Sequence, residues 1–149
     1  MNQSRDKMLF WCLLAAQAAG SQVIIWTGLP IYRRLLSHNT EGGGAREFGI
    51  GIVAVVVMQT AYWINRRLQA RLEFRRNTIA GHLLEWLGEI SYFFPHALAA
   101  VVIFDRLDEL EFVPGKLLIL AAILFAVFCY KRQLESLGEQ LTHTGATPH

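Results

Sequence analysis

Four apolar runs, each near the length at which a helix crosses a bilayer, limit what this chain can become. They cover about Met8 to Ile31, Phe48 to Ile64, Ile79 to Phe104 and Phe112 to Tyr130. A spanning helix needs about 20 mostly apolar residues, with a range near 17–25. Inside lipid the backbone must satisfy its own hydrogen bonds, so such runs fold as helices. The expected fold is therefore all-α: an integral membrane protein with four transmembrane helices in a helical bundle. It forms a single membrane domain over residues 1–149, with 141–149 (LTHTGATPH) as a flexible tail. Composition points the same way. Apolar residues make up 53% and charged residues 17%, where soluble domains carry about 25% charged. Mean hydropathy is +0.30. A disordered chain and a disulfide-dense mini-protein are excluded on these grounds, and the values argue against an ordinary soluble domain.

The first run could be mistaken for a cleaved leader, because Arg5 and Lys7 precede it and Ala16-Gln17-Ala18 offers a passable cleavage site. Apolar character resumes at Val23-Ile24-Ile25-Trp26, so the whole stretch reads as a span. Pro30 falls near its exit, where a break costs little. Gly42-Gly43-Gly44 marks the first loop as a flexible connector. Beyond the fourth run, Leu134 and Leu137 keep a helical spacing and suggest a short extension past the membrane.

Charge in the loops sets an expected orientation. The N-terminus, the second loop and the segment after the fourth run together hold nine Lys and Arg. The first and third loops hold four, and Lys116 lies near the start of the fourth run, where it can snorkel. The positive-inside rule then places both termini and the second loop in the cytoplasm. The expected location is the bacterial inner (plasma) membrane. Net charge is +2, too mild to suggest a nucleic-acid partner. Cys12 and Cys129 belong to no CxxC pattern and read as small apolar side chains.

The third run carries the polar residues that need explaining. His82, Glu85, Glu89 and His96 are spaced by three, four and seven, which puts them on one helical stripe. A charge at a helix centre costs about 2.5–3.5 kcal/mol on insertion scales. Counted back from Phe104, a span of about 20 residues ends near Glu85. Glu89 and His96 are then the deep members, and Glu89 is the one intramembrane carboxylate. Three roles compete. Glu89 could fix helix packing through an Arg or through polar residues such as Gln59, Tyr62, Trp63 and Asn65 on helix two, or Gln17, Ser21 and Gln22 on helix one. It could instead exchange protons with His96 as relay, since burial raises a carboxyl pKa toward neutrality. A metal or haem site is the weakest option. His82 and His96 lie about 21 Å apart along one helix, too far to share one ion. No metal and no cofactor is expected. Pro95, after Phe93-Phe94, reads as a packing kink.

The second loop, RRLQARLEFRRNT, places Arg66, Arg67, Arg71, Arg75 and Arg76 among Leu68, Leu72 and Phe74. It reads as an amphipathic interfacial turn or a helical extension. Its arginines attract anionic headgroups at about 1 kcal/mol each. Trp11, Trp26, Trp63 and Trp86 fall toward helix ends, as interfacial aromatics do. Ala15 with Ala19, and Ala16 with Gly20, form small-xxx-small pairs that would make helix one a packing face.

No GxSxG, P-loop, HExxH or GxGxxG motif is present. A catalytic role is therefore not expected. The expected function is that of a non-enzymatic accessory, assembly or interaction subunit. Its partners are the lipid bilayer and another membrane protein or a second copy of itself. The alternative is a homo-oligomeric proton-coupled transporter or ion channel that uses Glu89.

Overall fold

A computed structural model describes residues 3–36, 45–105 and 113–143. These residues form four α-helices and no strand: α1 (Gln3–Leu36), α2 (Ala45–Gln69), α3 (Thr78–Asp105) and α4 (Pro114–His143). Each is long and apolar enough to cross a membrane. The third-loop residues 106–112 and the triple glycine lie outside the described residues.

The helices run up and down as two antiparallel hairpins, α1 on α2 and α3 on α4. Depth pairs confirm the directions. Asn65 meets the Phe10 carbonyl, and Gly20 lies against Met58. In the second hairpin, Gly81 lies against Gly138 and Gly88 against Leu134. α1 also touches α3 and α4, and α4 touches α2, whereas α2 and α3 scarcely meet. The buried core runs down the centre of this arrangement through Ile24, Met58, Val127, Leu134 and Leu137. The outer wall also carries many large apolar side chains. Trp26, Val53, Ile79, Trp86 and Phe104 are all exposed. A bundle that is hydrophobic both inside and out is built for an apolar surrounding.

Several element ends differ from the sequence expectation. α1 does not stop at Pro30. It continues to Leu36 because Ile31, Tyr32, Leu35 and Leu36 bury against the neighbouring helices. That packing outweighs the backbone bond lost to proline. Pro95 is likewise accommodated inside α3. α2 extends to Gln69, so the first four residues of the arginine-rich segment are helical. The rest of the loop folds back onto the bundle. Leu72 is buried, and the Phe74 ring packs at 5.1 Å from Phe10 and 6.3 Å from Trp11. Asn77 then caps α3: its Oδ1 accepts from the Ala80 amide at 3.1 Å. The Asn77 amide donates to the Leu141 carbonyl at 3.0 Å, tying this turn to α4. The expected tail therefore begins too early. α4 runs to His143, and Leu141 belongs to the core.

Candidate functional site

The polar stripe on α3 is present, but its members do not converge on one another. Each finds a separate partner. His82 Nδ1 lies 3.3 Å from Glu85 Oε2, one turn along the same helix. His96 Nδ1 lies 2.7 Å from the Tyr92 carbonyl, and its ring sits 4.0 Å from the Tyr92 ring. A carbonyl oxygen can only accept, so Nδ1 is the donor in this contact. Glu89 pairs with Lys131 on α4, Oε1 to Nζ at 2.8 Å. Lys131 also reaches Glu135 at 3.4 Å and lies 4.8 Å from the Tyr92 ring centre. Lysine is thus held between two carboxylates and an aromatic face, with its side chain only 18% exposed. The Glu89 side chain is 60% exposed, on the outside of the bundle.

This changes the candidate partners for Glu89. The sequence points to polar residues of helices one and two, but none of them faces it. Gln17, Ser21 and Asn65 lie inside the bundle and Gln59 is half-buried, whereas Gln22 and Trp63 are exposed. Asn65 is fully buried and donates from Nδ2 to the Phe10 carbonyl at 3.3 Å. Gln17 and Ser21, one turn apart on α1, are buried with no hydrogen-bond partner for their side chains. Gln59 on α2 approaches the Cys129 thiol on α4, and its amide nitrogen has no partner. Tyr62 packs edge-to-face on Trp63 at 5.7 Å and faces a cleft between α2 and α4.

Two features went unread in the sequence. One is the glycine contact between α3 and α4. A Cβ on Gly81 would stand 2.8 Å from the Gly138 carbonyl, and one on Gly138 would stand 2.9 Å from the Gly81 carbonyl. The backbones touch there, as small residues permit. The heptad spacing of Gly81 and Gly88 was the available signal. By contrast, the expected small-residue pairs of helix one contribute less. Ala15 and Ala19 face outward, Ala16 is half-buried, and only Gly20 makes a close crossing. The other missed feature is a glutamine network. Gln133 Nε2 donates to Gln69 Oε1, and Gln69 Nε2 faces Ser136 Oγ and Gln140 Oε1 at 3.2 Å each. Gln133 and Gln140 are seven apart, so they share a face of α4.

Among the described residues, no group of three or more His, Cys, Asp or Glu is placed to hold a metal ion. Both cysteines are free, Cys12 exposed and Cys129 buried. No protein-family model, curated protein or solved structure matches the chain.

Proposed function

We propose that this chain is a four-span protein of the bacterial inner membrane, with both termini cytoplasmic, and that it serves as a non-enzymatic accessory, assembly or interaction subunit. The membrane reading is supported by four helices of spanning length and apolarity. The orientation is supported by the excess of Lys and Arg on the side of the termini.

The observation that carries the subunit reading is the outward position of the Glu89–Lys131 pair. Glu89 lies sixteen residues before Asp105, about 24 Å along the α3 axis. A hydrocarbon core about 30 Å thick would place it inside the inner boundary. Beside it on the wall, Trp86 is 71% exposed and Phe93 66% exposed, while Glu85, paired with His82, lies one turn earlier. Polar groups at such depth face protein or water rather than lipid, because a bare charge there costs several kcal/mol. In a single bundle this pair faces outward, so a second protein surface is its natural cover. A polar group from a partner helix would complete the carboxylate's hydrogen bonds.

A photo-cross-linking residue at Trp86, one turn from Glu89, tests this in native membranes. It should capture one discrete membrane protein, whereas the same probe at Val53 on the α2 wall should capture none. Equal, diffuse labelling from both positions would refute the reading.

The same outward carboxylate favours one second reading, a homo-oligomer in which Glu89 lines a path between copies. Replacing Glu89 with Gln keeps the shape and removes the titrating charge. Loss of proton-coupled flux at normal membrane abundance would favour transport. Lower abundance without a flux defect would favour the subunit role.

A further inference from the structure

The α2–α4 cleft lies at the arginine-rich end of the bundle, and neither the ion pair nor the core accounts for it. It encloses about 310 Å³. Its walls carry Arg66 from α2 and Arg132 from α4, with Ser136 and the carboxylates of Glu135 and Glu139 beside Arg132. Its floor is built, not incidental. Gln133 is 2% exposed and Gln69 is 6% exposed, and each is held by the hydrogen bonds described above. Gln69 commits both side-chain groups to that network, and Ser136, which accepts from it, keeps its own hydroxyl proton to donate. The Arg66 guanidinium lies 5.9 Å from the Trp63 ring, which steadies it at the rim. Among the described residues, neither Arg66 nor Arg132 is held in an ion pair.

We propose that this cleft binds the phosphodiester headgroup of an amine-bearing phospholipid, of the phosphatidylethanolamine type. Two guanidiniums on facing helices match the non-bridging oxygens of a phosphodiester, which accept paired, charge-assisted hydrogen bonds. Glu135 on the same wall pairs with Lys131 through one carboxylate oxygen and has the other for the headgroup ammonium. The position favours a lipid over a soluble phosphate. Phe128 and Phe125 stand one and two turns before Arg132 on the same face of α4, and both are exposed. They continue the cleft toward the apolar wall, where acyl chains would lie. The proposal rests on the membrane reading above, and separately on the geometry of the cleft.

The test uses the full chain purified in mild detergent, stripped of lipid and titrated with phosphatidylethanolamine under native mass spectrometry. One lipid should bind per chain. Replacing Arg66 and Arg132 together with Gln should weaken that binding roughly tenfold or more. Replacing Arg71 and Arg75 with Gln removes the same charge outside the cleft and should leave binding unchanged. Ser136→Phe fills the cleft from an exposed position, keeps both arginines and should also abolish binding, which guards against misfolding of the double variant. Equal loss in the Arg71/Arg75 control would reduce the effect to general charge and overturn the site. So would binding of inorganic phosphate with no binding of the lipid. A chain that fails to sediment with membranes would refute the membrane reading instead, and that result is distinguishable from a membrane-bound chain that binds no lipid.

Discussion

Where α3 crosses α4, the two backbones touch through Gly81 and Gly138. Where α1 crosses α2, side chains stand between them: Met58 fills the space over Gly20, and Ile31 fills the space over Gly51. The α3–α4 hairpin keeps its Glu89–Lys131–Glu135 charges on the rim, and its buried Gln133 is hydrogen-bonded to Gln69. The α1–α2 hairpin keeps its polar groups inside, where Gln17, Ser21 and part of Gln59 have no hydrogen-bond partner. The contrast separates two ways of holding apolar helices together. Close backbone approach gains dispersion contacts without any hydrophobic drive between helices. It also tolerates no added volume. A side-chain-filled crossing can adjust, because Met is flexible and fills irregular gaps. Buried polar groups in the α1–α2 hairpin then cost stability unless they are satisfied.

Substitution at the tight crossing should have the largest effect. Gly81→Val drives a Cβ into the Gly138 carbonyl, a backbone atom that cannot turn aside. A loss of about 1–3 kcal/mol is expected, read as a lower thermal midpoint in detergent. Gly88→Ala is the matched control, because its Cβ would sit at an ordinary 3.4 Å from Leu134. If both variants unfold alike, the backbone-contact account of this hairpin fails.

Next comes the polar contact that joins the two helices of the other hairpin. Asn65→Ala removes the side-chain donor to the Phe10 carbonyl, which keeps its bond within the α1 backbone. The expected cost is about 0.5–1.5 kcal/mol, followed by the same melting measurement. Preserved stability would show that this bond contributes nothing to joining α1 to α2.

Gly20→Ala should cost under about 1 kcal/mol. Its Cβ would fall 2.5 Å from Met58 Cγ, yet Met58 can choose another rotamer. A loss as large as that of Gly81→Val would erase the distinction between the hairpins. Gln17→Leu sharpens the comparison from the other side. Removing an unpartnered buried amide should leave the midpoint unchanged or raise it. A marked fall would mean that the amide has a polar partner in the assembled protein.

The helices were legible because a spanning run needs only length and apolarity. Their ends were not, because tertiary packing decided them. Burial of Ile31 to Leu36 carried α1 through Pro30, and burial of Leu141 carried α4 into the expected tail. The stripe of His82, Glu85, Glu89 and His96 was legible from helical spacing alone. Its partners were not, since Lys131 reaches Glu89 only when α4 returns beside α3. Likewise, Gly138 and Gly81 are fifty-seven residues apart, and only the hairpin geometry makes them neighbours. Phe74 looked like part of a charged loop, yet its ring seals the Phe10 corner of the core.

The account turns on whether the outward Glu89–Lys131 face meets another protein. The most direct test is purification of the tagged full chain from host membranes in mild detergent, followed by native mass determination beside the Glu89→Gln variant. The account predicts a discrete complex that contains a second membrane protein in fixed ratio and is weakened in the variant. A lone chain, or a homo-oligomer that carries nothing else and is unchanged by the substitution, would contradict it.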